Sequence, residues 1–160
     1  MPTNNTSGWI NSPDDVMAVE SEVGIFGSAA DFLTGTGAGQ IRCLHDNYEK
    51  IGIDFPHRNQ GPVGSCVAFG VAGGVDAVKV TEIANGEREI FKAATSEEPI
   101  YYGARVVIGK NRIRGDGAIV AYAVKYIAEY GTIAKGKYGN IDISQYSPER
   151  CRKWGTGSGF

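Results

Sequence analysis

A short stretch of the chain, residues 59–69 (NQGPVGSCVAF), places a cysteine where a reactive thiol is expected. Ser65 is a good helix N-cap, and Cys66 follows it at the start of a run of small and apolar residues. The thiolate is the nucleophilic form of a cysteine, and the unpaired N–H groups of a first helical turn favour negative charge. The stretch therefore predicts that Cys66 is a nucleophile.

The residues before the cysteine offer further groups for carbonyl chemistry. Gln60 can return across the loop and present a side-chain amide donor near Cys66. Together with the Cys66 backbone N–H, this amide would hold a developing oxyanion. Gly61 and Gly64 would let a substrate approach the backbone closely. The alternative is a buried core cysteine beside an ordinary loop glutamine, because free cysteines are among the most buried residues.

Residues 66–84 are predicted to form a helix that begins at the cysteine. Asn85-Gly86 is typical of a helix end. Apolar residues recur at helical spacing and define one face of this helix: Val67, Val71, Val75 and Val78. Glycines within it weaken the helix propensity, so we expect the helix to be buried, where glycines permit close packing.

Two further helices are predicted downstream. Ser96 starts the first of them, and the acidic first turn at Glu97 and Glu98 is expected to be solvated. Asp116 is predicted to cap the second, over residues 118–130, where apolar residues follow the helical repeat.

The stretch around the cysteine resembles the active-site signature of the papain-like cysteine peptidase family, which reads Gln-Gly, a few residues, then Gly-Ser-Cys-Trp-Ala-Phe. The same six-residue Gln-to-Cys spacing is present here in Gln60-Gly61, Gly64-Ser65-Cys66 and Ala68-Phe69. The resemblance implies that Cys66 is the catalytic nucleophile and Gln60 the oxyanion-hole donor. It also implies that Gly64 and Ser65 border the bound substrate.

A second match to the same family follows. The family carries an Asn followed by a Gly-Gly pair whose backbone binds extended substrate, and then a helix that ends in Tyr-Gly. Here Asp116-Gly117-Ala118 stands in that place, and the next helix ends in Tyr130-Gly131. The resemblance implies substrate binding by Gly117 and by the N–H and C=O of Ala118, with Ile119 and Val120 lining an apolar pocket. An ordinary capped amphipathic helix is the alternative for this segment alone.

The resemblance covers residues 54–138, about half of the chain, and departs from the family pattern in three places. Val63 stands where the family has a cysteine, so the family's usual disulfide is absent. Val67 replaces the Trp after the nucleophile. The longer distance between the two motifs implies an inserted loop around residues 87–110.

The family's catalytic histidine has no counterpart in this chain. A cysteine peptidase needs an imidazole to pair with the thiolate and to protonate the leaving amine. In the family it follows the nucleophile by about 130–150 residues, with an Asn to orient it, which lies beyond Phe160. His45 and His57 both precede Cys66, and His57 is interpreted as a surface loop residue. We therefore expect a truncated chain, or one that acts with a His-bearing C-terminal domain or second chain.

Composition excludes several classes of protein. With 160 residues, 42% of them hydrophobic, the chain suffices for one modest domain with a core. A net charge of −2 gives no electrostatic argument for binding nucleic acid or an anionic membrane. Three cysteines do not resemble a disulfide framework, and no signal peptide is evident, so a cytoplasmic protein with reduced thiols is expected. No metal site and no cofactor are expected.

These observations predict an α+β fold that is papain-like and consists mainly of the helical left-hand domain, with a central buried helix starting at the cysteine and the barrel domain largely missing. Residues 1–41 are expected to form a tail and a Gly-rich segment, residues 42–138 the helical domain, and residues 139–160 a turn-rich C-terminal segment. The predicted function is a cysteine peptidase that hydrolyses peptide or protein substrates through an acyl-enzyme, and this chain alone is expected to be inactive or very slow because it lacks the downstream His and Asn. The alternative is a non-catalytic binding or particle-associated structural module that retains the half-fold.

Overall fold

The computed structural model of the chain describes residues 8–22 and 44–158. These residues are mostly helical and contain two small two-stranded sheets, a composition compatible with the α+β class. None of the helices in the two described ranges is long and apolar enough to cross a membrane. The Gly-rich segment predicted within residues 1–41 lies largely outside the described residues, as does Cys43.

The described part of the chain contains six α-helices, one π-helix and four short strands. In chain order they are β1 (Gly8–Trp9), α1 (Pro13–Glu22), α2 (Leu44–Lys50), α3 (Cys66–Ala84), α4 (Glu97–Tyr102), the π-helix (Gly103–Ile108), β2 (Gly117–Ala118), α5 (Val120–Tyr130), β3 (Lys137–Tyr138), β4 (Ile141–Asp142) and α6 (Pro148–Gly155). Strands β1 and β2 pair in parallel, whereas β3 and β4 pair in antiparallel orientation.

The helix predicted to begin at the cysteine, α3, is confirmed over its whole length. It contacts α2, α4, α5 and both strands of the β1–β2 sheet, so it lies at the centre of the described structure. Its buried face consists of small residues and one carboxylate: Val67, Ala68, Ala72, Asp76, Val80 and Ala84. The predicted valine face is therefore only partly correct, because Val78 is 58% exposed.

The other two predicted helices are present with altered ends. Ser96 immediately precedes α4, as predicted. Helix α5 begins at Val120, later than predicted, because Gly117 and Ala118 form strand β2 instead of its first turn. It ends at Tyr130, and the next residue, Gly131, has a positive φ of 77° that glycine adopts without strain.

Residues 8–22, within the segment expected to form a tail, are held against the rest of the structure. Strand β1 pairs with β2, and α1 packs against α5. The Asp15 carboxylate accepts a hydrogen bond from the Tyr122 hydroxyl across this second contact. A Ser12-Pro13 helix-start signal followed by acidic residues marks α1 in the sequence.

The C-terminal segment, expected to be turn-rich, contains helix α6. The Ser147 side chain caps this helix by accepting a hydrogen bond from the Arg150 N–H at 3.1 Å. Cys151 and Trp154 are buried, and α6 packs against α4. Ser followed by Pro is a strong helix-start signal, so the helix was detectable from local sequence.

The expectation that Glu97 and Glu98 are solvated is wrong, because both are fully buried. Glu97 pairs with Arg58, and one of its oxygens lies 3.2 Å from the Lys135 Nζ. Glu98 accepts hydrogen bonds from the Arg150 guanidinium at 2.5 and 3.1 Å. Buried carboxylates require such partners, so the first turn of α4 connects distant parts of the chain electrostatically.

A close contact between the π-helix and α5 predicts a stability effect. A Cβ added at Gly103 would lie 2.2 Å from Cγ of Tyr126. We expect Gly103→Ala to lower the free energy of unfolding by about 1–3 kcal/mol, because overpacking displaces the ring. Urea unfolding measures the change.

Gly74→Ala is the matched control, because nothing lies within 4 Å of a Cβ there, in the middle of α3. It should raise the free energy of unfolding by about 0.5–1 kcal/mol, since alanine is the better helix former. Equal effects of the two substitutions would contradict the packing at Gly103.

Candidate functional site

The loop before α3 folds back so that the Gln60 side chain contacts Val63, in the turn that precedes Cys66. The Gln60 Nε2 donates a hydrogen bond to the Val63 carbonyl at 3.0 Å. The Ser65 backbone N–H donates to the same oxygen at 2.7 Å. Two amide groups thus meet at one carbonyl, immediately before Cys66. The structure therefore places the Gln60 amide against the Val63 carbonyl, three residues before Cys66, in the loop that leads into α3.

Cys66 is the first residue of α3 and is half-buried against the core. Among the residues that the structure describes, no group accepts a hydrogen bond from its backbone N–H. The first N–H groups of an α-helix have no intrahelical acceptor, so they are free to bind an anionic oxygen. The Gln60 amide carries a second N–H besides the one bonded to Val63.

Ser65 and Gly64 are both buried, which changes the roles predicted for them. The Ser65 side chain makes no capping bond to α3 and lies instead 3.1 Å from the Tyr146 hydroxyl. With Ser65 0% exposed, its hydroxyl is not available to a substrate. The Gly64 N–H donates to an Asp116 carboxylate oxygen at 2.9 Å, so this backbone group is occupied as well.

The predicted substrate-binding segment at residues 117–120 is largely occupied by the chain itself. Gly117 and Ala118 are buried and pair with β1, and the Ala118 carbonyl accepts a hydrogen bond from the Ile10 N–H at 3.0 Å. The prediction that the Ala118 C=O is open to a substrate is therefore wrong in this conformation. The reason is physical: an extended edge pairs with an available extended segment.

The two apolar residues after this strand differ in exposure. Ile119 is 6% exposed and belongs to the core, where it also lines a cavity of about 340 Å³ together with Ile10 and Tyr122. Val120 is 42% exposed and does not line that cavity. The predicted pocket beside the strand thus involves Ile119 but not Val120.

Asp116 connects the two predicted site segments. It was predicted to cap the following helix, but that helix begins at Val120 without a side-chain cap. One Asp116 carboxylate oxygen accepts the Gly64 N–H, and the other accepts the Tyr101 hydroxyl at 2.7 Å. Burial, followed by the hydrogen bond to Asp116, raises the pKa of Tyr101, so this phenol remains a donor. The carboxylate thereby joins the turn before Cys66 to strand β2.

Comparisons with protein-family models, curated proteins and solved structures find no match for this chain. The function must therefore be argued from the residues of the site.

The two histidines lie along another side of α3. His45 and His57 line a cavity of about 970 Å³ beside Gly73, Gly74 and Ala77, and Cys66 is not among its lining residues. At a rise of about 1.5 Å per residue, Gly73 lies about 10 Å along the helix from Cys66. Within residues 8–22 and 44–158, no cluster of three or more His, Cys, Asp or Glu side chains is suited to hold a metal ion.

A second thiol, that of Cys151, is buried next to Ser65 in the turn that precedes Cys66. Cys151 on α6 is fully enclosed, and burial raises the pKa of its thiol to about 12, with the nearby Glu98 carboxylate acting in the same direction. Hydrogen bonds with Tyr146 and Ser65 oppose this shift in part. Cys151 is therefore a neutral core thiol, whereas Cys66 is the accessible one of this pair.

This buried thiol predicts sensitivity to alkali. The unfolded thiol loses its proton near its ordinary pKa of 9.0, whereas the folded thiol keeps it to about 12. The contribution of the neutral Cys151 thiol to the free energy of unfolding is therefore fully present below pH 9. It decreases by about 1.4 kcal/mol per pH unit above that and is lost as the pH rises through 12. Urea unfolding between pH 9 and 10.5 should show a smaller slope for Cys151→Ala than for the parent protein. An unchanged slope would contradict this account.

The sequence did not predict the groups whose hydrogen bonds hold the turn before Cys66. Asp116 and Tyr146 reach it from distant parts of the chain, and Tyr101 bonds the Asp116 carboxylate. Nothing local marks a hydrogen bond between residues 64 and 116, and the aspartate before a helix was interpreted as its cap. No signal in the sequence identified these partners.

Proposed function

We propose that this chain is the helical, nucleophile-bearing part of a papain-like cysteine peptidase that acts on peptide or protein substrates. The observation that carries the proposal is the turn before α3. Cys66 is partly exposed there, its N–H has no acceptor among the described residues, and the Gln60 amide folds back to the same turn. A thiol at a helix start, with an unbonded backbone N–H and a side-chain amide in the preceding loop, is suited to acyl transfer.

In the proposed reaction, the Cys66 thiolate attacks the substrate carbonyl carbon. A C–S bond forms while the carbonyl π electrons move to oxygen, and the N–H groups of Cys66 and Gln60 hold this oxyanion. When the oxyanion collapses, the C–N bond breaks and the leaving amine takes a proton from an imidazole. Water then attacks the thioester, which releases the acid and restores the thiol.

The imidazole is proposed to come from a C-terminal domain or from a second chain. His45 and His57 line the cavity beside Gly73 and Gly74, away from the turn that carries Cys66. We therefore expect this chain alone to hydrolyse amides very slowly. The proposed reaction uses no cofactor. A reducing compartment such as the cytoplasm would keep Cys66 as a free thiol.

A second candidate function is a non-catalytic binding or particle-associated module. The observation that favours it is the pairing of Ala118 with the chain's own N-terminal strand, which occupies the carbonyl that a substrate would use. In this alternative, the turn at Cys66 persists as part of the fold and performs no chemistry.

An activated ester distinguishes the two candidates without the missing imidazole. p-Nitrophenyl acetate releases nitrophenolate, which needs no proton to leave, so a thiolate and an oxyanion hole suffice. We expect a burst of one nitrophenolate per protein molecule, absent in Cys66→Ala and preserved in the matched cysteine variant Cys151→Ala. A burst that survives Cys66→Ala would overturn the proposal. So would a burst whose rate does not exceed the rate at which free cysteine reacts with the same ester.

A further inference from the structure

We infer that Asp116 is a positioning residue for the nucleophile, and that its carboxylate holds the backbone of Gly64, Ser65 and Cys66 in the orientation that acyl transfer needs. This inference rests on the function proposed above for Cys66. Asp116 lies 50 residues beyond the cysteine and belongs to neither the nucleophile nor the oxyanion donors.

The hydrogen bonds of Asp116 act directly on the turn. Its Oδ2 accepts the Gly64 N–H at 2.9 Å, two residues before the cysteine. The Ser65 N–H and the Gln60 amide are bonded to Val63, within the loop itself. The Asp116 bond therefore anchors a backbone N–H of this loop to a separate segment of the chain, and a longer bond of 3.4 Å joins the Pro62 carbonyl of the loop to Arg152. Rotation of the Gly64 peptide would turn the following N–H groups away from the carbonyl they are proposed to hold.

The Asp116 carboxylate is itself held in place by buried side chains. Its Oδ1 accepts the hydroxyl of Tyr101, which is 1% exposed and lies with its ring against Gly155. Arg105, 7% exposed, donates to the Gly115 carbonyl at 2.8 Å and also to the Gly117 carbonyl, on either side of Asp116. Its guanidinium also lies over the Tyr101 ring. A buried cation thus fixes the loop that carries the carboxylate.

Asparagine is the conservative replacement at this site. Its Oδ1 can accept the Gly64 N–H, and its Nδ2 can donate to the Tyr101 oxygen, which is able to accept. Asp116→Asn therefore removes the charge but keeps both connections, whereas Asp116→Ala removes both. Comparison of the two variants separates positioning from charge.

The test compares two reactions of the same thiol in the full chain. Acetylation by p-nitrophenyl acetate develops an oxyanion, and alkylation by iodoacetamide does not. Both are followed at Cys66 by peptide mass spectrometry. We expect Asp116→Ala to slow acetylation by about 10- to 100-fold relative to alkylation, and Asp116→Asn to restore most of that ratio. Tyr101→Phe, which leaves the Gly64 bond in place, should have a smaller effect.

General destabilisation would change both reactions together, so the ratio reports on positioning. A ratio that is the same in Asp116→Ala and the parent protein would overturn the inference while leaving the proposed function intact. If the parent protein shows no acetylation at Cys66, the proposed function fails. Hydrogen exchange then tests separately whether the Asp116 carboxylate holds the Gly64 backbone. Exchange of the Gly64 amide that is about tenfold faster in Asp116→Ala supports this role, and unchanged exchange refutes it.

Discussion

Replacing Gln60 by alanine is expected to slow acetylation of Cys66 by p-nitrophenyl acetate by about 100-fold, the usual effect of removing one oxyanion donor. The Gln60 amide lies on the same turn as the nucleophile and has one N–H free of the Val63 carbonyl. Alkylation by iodoacetamide should keep its rate, because that reaction develops no charge on a carbonyl oxygen. Stopped-flow release of nitrophenolate measures the first rate.

Asn59→Ala is the matched control, since it removes an amide from the neighbouring position of the same loop. The side-chain Oδ1 of Asn59 accepts the Gly61 N–H at 2.9 Å, so this side chain shapes the loop without a role in the proposed chemistry. Acetylation should remain close to the parent rate in this variant. Equal losses in the two variants would mean that Gln60 acts only through loop structure.

Replacing Asp76 by alanine should cause the largest loss of stability, about 3–5 kcal/mol, because it removes one of the two carboxylates paired with the largely buried Arg58 and leaves two buried Thr95 donors without an acceptor. Asp76 is fully enclosed and pairs with Arg58. Its oxygens also accept the Thr95 backbone N–H at 3.0 and 3.1 Å and the Thr95 hydroxyl at 2.6 Å. Urea unfolding at neutral pH measures the loss.

Glu82→Ala provides the comparison on the same helix. Glu82 is exposed on α3, and its removal should change the free energy of unfolding by less than about 0.5 kcal/mol. Asp76→Asn, which retains an acceptor for Thr95, should be intermediate. If Asp76→Ala were no more destabilising than Glu82→Ala, the buried ion pair would contribute nothing measurable to the fold.

Features with a local signal in the sequence were predictable. Helix α3 has an apolar repeat and a clear end at Asn85-Gly86, and it spans the predicted residues. Gln60 and Cys66 belong to one loop and one helix start, so six residues of spacing were enough to expect them close together. The end of α5 before Gly131 follows the same logic, because glycine adopts the positive φ found at this position without strain.

Features that depend on distant partners were not predictable in the same way. Ser65 resembles a helix cap, yet its hydroxyl meets Tyr146, which lies 81 residues away. Glu97 and Glu98 resemble solvated charges at a helix start. Their burial was not predictable, because a single sequence does not reveal that Arg58 and Arg150 pair with them. Tertiary contacts override local preference at such positions. The pairing of β1 with β2, which closes the Ala118 edge, is non-local for the same reason.

The most direct measurement is to locate the acyl group after the protein reacts with one equivalent of p-nitrophenyl acetate. Peptide mass spectrometry under mildly acidic conditions preserves a thioester and identifies the modified residue. The account predicts acetyl on the peptide that carries Cys66, formed during the burst and removed by hydroxylamine. Acetyl found only on lysines or on another cysteine, with Cys66 unmodified, would contradict it.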